Sequence, residues 1–108
     1  MIRRLDLDVA IYRDRVQVVH RGSEAFIDQP AEFPFSDEHS VVANAAHLED
    51  TIVRAVRRIL AEGGYSLNDP IAHVTRCDGC LGEADRAVVE RSLAGLGIAT
   101  VLWEIDEE

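Results

Sequence analysis

The stretch from Ile71 to Glu104, IAHVTRCDGCLGEADRAVVERSLAGLGIATVLWE, predicts a strand, a tight loop, a helix and a second strand. The helix is expected over 82–96, because alanine and valine recur on one of its faces and Gly97 can end it in the left-handed conformation. The closing strand, over 98–105, is mostly apolar, so we expect both of its faces to be covered. In such a βαβ unit the strand-to-helix loop lies at the carboxyl edge of a parallel sheet, where ligands usually bind.

Upstream of this unit, residues 1–28 carry the pattern of a three-stranded antiparallel meander. Apolar and polar side chains alternate over residues 2–12, and two more extended segments follow across short turns. Residues 44–63 predict an amphipathic helix with Asn44 as its N-cap. Residues 68–70, Asn-Asp-Pro, predict a polar connection into the 71–105 strand–helix–strand unit.

The resulting order is β-β-β-α-β-α-β. A chain of 108 residues is long enough for one ordinary core, so we expect a single domain over residues 1–108. The predicted fold class is α/β (α+β), a three-stranded antiparallel meander followed by αβαβ. It gives a mixed five-stranded sheet with packed helices.

The charge balance narrows the classes of partner. Eleven basic and twenty acidic side chains leave a formal net charge of −9. Such a surface repels phosphate backbones and anionic membranes, so we expect no general nucleic-acid binding and no membrane binding. The chain has no apolar run as long as a membrane span, and it opens on a strand pattern rather than a signal peptide. We therefore expect a cytoplasmic protein whose two cysteines are not a disulfide framework.

The element order resembles the ribonuclease-H-like fold, which is also the core of actin-type ATPase domains. Residues 75–105 are similar to the strand–loop–helix–strand segment in the first subdomain of bacterial rod-shape-determining (MreB-type) proteins. The corresponding positions are Gly79, Glu83, Arg86, Ala87, Gly97 and Glu104. In that family an Asp-x-Gly-Thr sequence on the first strand binds phosphate, whereas this chain has Asp-Leu-Asp-Val at residues 6–9. Without the glycine the backbone cannot approach a phosphate closely, so the resemblance implies a scaffold without nucleotide hydrolysis.

The same resemblance implies an alternative, a divalent-metal-dependent ribonuclease-H-like phosphodiesterase. Such nucleases hold two divalent metal ions with an Asp on the first strand, a Glu on the first helix and an Asp after the fourth strand. For this chain the resemblance implies magnesium. The candidates here are Asp6 or Asp8, then Glu49 or Asp50, then Asp78. Two such ions align water and leaving group for phosphodiester cleavage. The strand alternation equally explains the first two as solvated side chains.

Cys77 and Cys80 lie just before the second predicted helix, where N-terminal amides can lower the pKa of a thiol. This placement is that of a thioredoxin-like redox pair, although Asp78 disfavours a thiolate. Two cysteines make an incomplete zinc site, which His73 on the preceding strand could join. A plain reduced loop is the third interpretation.

Two further features concern partners. Arg54, Arg57 and Arg58 form a small basic ridge on the first helix, expected to be a solvated face or a contact for an acidic partner such as a second copy's tail. Trp103 is expected to pack in the core or to anchor an interface at the sheet edge. We expect a non-catalytic protein-interaction module with an actin-subdomain-like fold, no cofactor, and another protein or a second copy as its partner. The enzyme alternatives, with magnesium or zinc or with the cysteine pair, remain open.

Overall fold

The computed structural model describes residues 3–79 and 82–105. The strands are β1 (Arg3–Tyr12), β2 (Arg15–His20), β3 (Phe26–Pro30), β4 (Tyr65–Cys77) and β5 (Thr100–Trp103), and the helices are α1 (Ala45–Leu60) and α2 (Glu83–Ala94). The prediction of a mixed five-stranded sheet with two helices is confirmed.

β1 is the central strand of the sheet, whose order is β3-β2-β1-β4-β5. The three strands of the meander pair antiparallel, while β4 pairs parallel with β1 and β5 pairs parallel with β4. The helix-bridged strands therefore extend the sheet from its β1 side. The chain reaches that side through α1, which packs against β2 and β3 on its way from the β3 edge.

The hydrophobic core lies between the two helices and one face of the sheet. The side chains of β1 that point into it are almost completely buried, as the alternation predicts: Leu5, Leu7, Val9 and Ile11. The helices meet them with Leu48, Ile52, Ile59, Val89 and Leu93. Because both helices pack on this face, no element of the described residues covers the opposite face of the sheet. We call that surface the open face.

The helix ends follow the capping residues in the sequence. The side chain of Asn44 accepts a hydrogen bond from the His47 amide at 3.0 Å, which confirms it as the N-cap of α1. Gly97 has φ +85°, and the Ile98 amide beyond it donates to the Leu93 carbonyl at 3.1 Å, which closes the end of α2. Neither helix of the described chain is long and apolar enough to cross a membrane.

β4 is much longer than the strand that the sequence predicts at the start of the 71–105 unit, because it begins at Tyr65. Ser66 pairs with Arg4, and Ile71 pairs with Asp6, so a single residue of β1 faces residues 67–70 of β4. These four residues form a bulge, which we call the β4 bulge. The Asn-Asp-Pro sequence therefore bends a strand instead of connecting two elements, because turn-forming residues also suit a bulge.

β5 has only four residues, and the expectation that both of its faces are covered is wrong. Thr100 and Leu102 are exposed on the open face, whereas Val101 and Trp103 lie toward the helices. The strand is mostly apolar because one of its faces packs against the core. Leu102 is also apolar, but it is exposed on the other face.

Candidate functional site

β1 directs Asp6 and Asp8 to the open face, because the residues between and beside them are buried in the core. In the pairing register, Asp8 lies opposite Val19 of β2 on one side and His73 of β4 on the other. Two carboxylates and one imidazole therefore share the middle of the open face.

His73 lies between two carboxylates. Its Nε2 is 2.6 Å from Oδ1 of Asp6, and its Nδ1 is 2.5 Å from Oε2 of Glu104, the residue after β5. The His73 side chain is only 8% exposed. Both ring nitrogens therefore lie within hydrogen-bonding distance of a carboxylate oxygen. The arrangement is a nearly buried imidazole held between two carboxylates.

Arg21, at the end of β2, completes the group. Its Nε donates to Oδ1 of Asp8 at 2.6 Å, and its Nη2 donates to Oε1 of Glu104 at 2.7 Å. We call Asp6, Asp8, Arg21, His73 and Glu104 the open-face cluster. It links β2, β1, β4 and the residue after β5 through side chains alone.

The cluster holds two of its members firmly in their charged forms. The pKa of Glu104 is lowered below its ordinary value, first by the hydrogen bond from His73 and then by that from Arg21. The pKa of Arg21 is raised, first by Asp8 and then by Glu104. Both groups therefore stay ionised over a wider pH range than usual, which suits them to hold strands together rather than to exchange protons.

The acidic residues of the predicted nuclease site lie on both sides of the sheet. Asp6 and Asp8 are on the open face, whereas Glu49 lies on α1, which packs on the other face. The Glu49 carboxylate rests against the end of α2, where a Cβ added at Gly95 would come within 1.8 Å of its Oε1. The sheet separates the first-strand candidates from the helix candidate.

The remaining nuclease candidates are engaged with arginines. Asp50 pairs with Arg54 one turn further along α1 at 2.8 Å, and Asp78 pairs with Arg76 at the end of β4 at 2.8 Å. Within residues 3–79 and 82–105, no group of three histidine, cysteine or carboxylate residues is placed to hold a metal ion. The structure does not bring the predicted magnesium ligands together.

The structure does not bring together His73 and Cys77, two of the residues of the predicted zinc site. Residue 75 has no partner on β1, because Val74 pairs with Val9 and Arg76 with Ala10. This bulge reverses the alternation, so His73 points to the open face while Cys77 packs against the core.

The oxidation state of Cys77 bears on the interpretation of the cysteine segment as a plain reduced loop. Cys77 is disulfide-bonded, so the reduced-loop interpretation does not describe this structure. The other cysteine of the chain, Cys80, lies outside the described residues.

The three arginines of the basic ridge have different environments. Arg54 is paired within α1, and Arg58 donates to the Asp28 carbonyl at 3.1 Å and to the Gln29 side chain at 3.2 Å, which fixes α1 to β3. The side chain of Arg57 makes no hydrogen bond or ion pair with any part of the chain that the structure describes. In the ridge, Arg54 and Arg58 therefore hold parts of the fold together, and the guanidinium of Arg57 is available to bind a ligand.

Trp103 lies on the helix side of β5, where it packs at the edge of the core. Its indole Nε1 donates to Glu90 of α2 at 2.9 Å, and the guanidinium carbon of Arg86 lies 4.9 Å from its ring centroid. The structure agrees with the expectation that Trp103 packs against the core, and its role at an interface stays a prediction.

One cross-strand row of the open face combines charged and apolar side chains. The pairing register places five residues side by side, one from each strand in sheet order: Phe26, Val19, Asp8, His73 and Leu102. The two ends of the row are large apolar side chains that are 56% and 44% exposed. Asp8 and His73 therefore lie between two exposed apolar side chains.

Sequence reasoning did not assign Arg21 and Glu104 to a site. Each lies just beyond the end of a strand, where a pattern of alternation gives no face. Their places in the chain were the available signal: Arg21 follows the strand that pairs with β1, and Glu104 follows the last strand. Only the strand order shows that the two ends meet.

Comparisons of the chain with protein-family models, with curated proteins and with solved structures found no match.

Proposed function

We propose that this chain is a non-catalytic protein-interaction module that binds a second copy of itself through the open face. A ribonuclease-H-like, actin-subdomain-like architecture and a cytoplasmic location belong to the same proposal. The architecture is supported by the central β1, which carries the meander on one side and the two helix-bridged parallel strands on the other.

The absence of nucleotide hydrolysis is part of the proposal. Asp8 stands where the resembling family has the glycine of its phosphate-binding sequence. Its carboxylate is held by Arg21 at 2.6 Å, and a side chain at this position keeps a phosphate away from the backbone that a glycine would leave accessible.

The observation that carries the proposal is the row that ends in Phe26 and Leu102. The distance across five strands is about 19 Å, since neighbouring strands lie about 4.8 Å apart. A twofold axis that runs along β1 between two facing sheets places Phe26 of one copy opposite Leu102 of the partner subunit, and the reverse. Each apolar end of the row therefore meets the other apolar end on the second copy. A twofold dimer requires this, because both subunits use the same surface patch.

The charged middle of the face is compatible with such a contact. Arg21 and His73 already bond to the three carboxylates of the open-face cluster within one copy. Covering charges that are paired and hydrogen-bonded costs less than covering isolated charges. The cluster can thus be covered by a second sheet without leaving the Arg21 guanidinium unpaired.

Sedimentation velocity over a wide range of protein concentration tests this proposal. We expect a monomer–dimer equilibrium in the native chain. Phe26→Ser and Leu102→Ser should each weaken the dimer roughly a hundredfold, because a truncated side chain is lost twice in a twofold interface.

The matched control is Phe33→Ser. Phe33 is 50% exposed but lies before α1, with its ring 5.6 Å from that of His47, and not on the sheet. A native chain that stays monomeric at every concentration, or a dimer that loses as much affinity with Phe33→Ser as with Leu102→Ser, would contradict the open face as the contact.

A second candidate function is thiol redox chemistry, and one observation favours it. Cys77 is disulfide-bonded at the carboxyl end of β4, just before α2. Equilibration in glutathione buffers, followed by alkylation and mass spectrometry, gives the reduction potential of this disulfide. Oxidoreductase function requires a potential of about −270 to −120 mV, whereas a potential below about −300 mV identifies a structural bond.

A further inference from the structure

A cleft of ≈530 Å³ lies at the amino ends of the parallel strands, away from the open face. The second half of α1, the segment after α2 and the β4 bulge enclose it. Its walls are aliphatic and include Val53, Val56, Leu60, Leu67, Leu96 and Ile98. A volume of this size is in the range of small-molecule sites, about 300–1,000 Å³.

The β4 bulge creates one wall of this cleft. Four residues of β4 stand opposite a single residue of β1, which pushes the strand outward and places Leu67 and Pro70 on the cleft. Leu67 remains 64% exposed there. A regular strand pairing would have no such wall, so the cleft follows from the extra residues and not from helix packing alone.

Arg57 is the charged residue in the lining of the cleft. Its neighbours on the basic ridge are occupied, since Arg54 pairs with Asp50 and Arg58 bonds to β3. The guanidinium of Arg57 has no partner among the described residues. A guanidinium with free donors at the rim of an aliphatic cleft can bind a carboxylate through charge-assisted hydrogen bonds.

We propose that the cleft binds an unbranched alkyl carboxylate, with the chain among the aliphatic side chains and the carboxylate on Arg57. An extended peptide fits this lining less well, because its amide groups would be buried against aliphatic walls without partners. A helical peptide satisfies its own amides but is about 10 Å wide, which is too thick for this volume. An alkyl chain has no groups that need hydrogen bonds.

The test is calorimetric titration of the native chain with hexanoate, octanoate and decanoate, with amide chemical shifts recorded alongside. We expect affinity to rise roughly fourfold for each added methylene, because each buried CH₂ contributes about 0.8 kcal/mol. Arg57→Gln should lower the affinity for decanoate roughly tenfold or more. Arg54→Gln, three residues away on the same helix, should leave it unchanged.

Three results would overturn the inference. Decylamine could bind as tightly as decanoate, or Arg57→Gln could keep the native affinity while its amide spectrum shows a folded chain. Alternatively, a capped tripeptide of two leucines and a glutamate could bind more tightly than decanoate, which would make the cleft a peptide site. The sedimentation result for the open face is independent of all three, because no cleft residue belongs to the open-face cluster.

Discussion

Nδ1 of His73 lies 2.5 Å from Oε2 of Glu104, so the middle of β4 is fixed to the residue that follows β5. The same Glu104 carboxylate accepts from Arg21, which comes from the far side of the central strand. Side chains on the open face therefore bridge four neighbouring strands, in addition to the backbone ladder beneath them.

Removal of the central imidazole should weaken the whole cluster. His73→Ala deletes two hydrogen bonds to carboxylates and leaves Asp6 without its partner, so we expect a loss of about 2–3 kcal/mol in the free energy of unfolding. Urea denaturation measures it as a lower midpoint at unchanged slope. The control is His39→Ala, whose side chain is 83% exposed and which should cost less than about 0.5 kcal/mol. Equal effects of the two substitutions would refute the interpretation of His73.

The contribution of Glu104 should depend on pH. Its pKa is lowered in the folded state, so the unfolded chain binds a proton more readily at acidic pH. The stabilisation is fully present above the ordinary carboxyl pKa, 4.5, and is lost as the pH falls through the lower, folded-state value. We expect Glu104→Gln to be less stable than the native chain at pH 7 and to approach it under acid conditions. Urea denaturation of both chains at pH 7 and under acid conditions tests this. A difference that grows toward acid pH would have the wrong sign.

The N-cap of α1 should make a measurable contribution. Asn44→Ala removes the hydrogen bond to the His47 amide and should cost about 1 kcal/mol in the free energy of unfolding. Asn44→Ser should retain most of the stability, because serine can accept the same bond. Thermal denaturation of the three chains gives the order native, Ser, Ala. An Ala variant as stable as the native chain would show that the cap is replaced by solvent.

Two glycines with positive φ should differ in their tolerance of a side chain. At Gly97, φ is +85° and a Cβ would meet nothing within 4 Å, so Gly97→Ala should cost only the backbone term of about 1–2 kcal/mol. At Gly79, φ is +78° and a Cβ would lie 2.8 Å from Cγ2 of Val41, which adds a steric conflict. We expect Gly79→Ala to be clearly the less stable variant in urea denaturation. The reverse order would place the 77–79 turn further from the core than the structure has it.

The alternation on β1 gives a direct test of which face is open. Val9 is fully buried, whereas Ala10 lies on the open face. Val9→Asp should prevent folding, because a carboxylate in the core has no partner, and Ala10→Asp should leave a folded chain. Circular dichroism and amide spectra distinguish the two. A folded Val9→Asp chain would show that the helices pack on the other face.

Local patterns predicted the elements but not all of their partners. The period-two alternation of β1, the Asn44 cap and the Gly97 turn each depend on residues close in the chain, so the sequence was sufficient for them. The extent of β4 was not predictable in this way. Its first residues become a strand only because Arg3 and Arg4 of β1 provide a ladder for them.

The candidate site shows the same division. The sequence indicated Asp6 and Asp8 as solvated neighbours on one face, and the structure places them there. The sequence also suggested that His73 could join the cysteines. A single extra residue at position 75, however, places Cys77 on the face opposite to His73. One unpaired residue in a strand inverts every side chain beyond it, and no local pattern reveals where such a residue lies.

By itself, the sequence determined the order of strands and helices, the buried and solvated faces of β1, the N-cap of α1 and the turn after α2, because these follow from side chains a few residues apart. Only the tertiary structure decided which strand is central, which face stays open and which charges meet. Arg21 and Glu104 are 83 residues apart in the chain and touch at 2.7 Å. Contacts of that kind depend on strand order and register, which are set by the packing of the whole core rather than by any one segment.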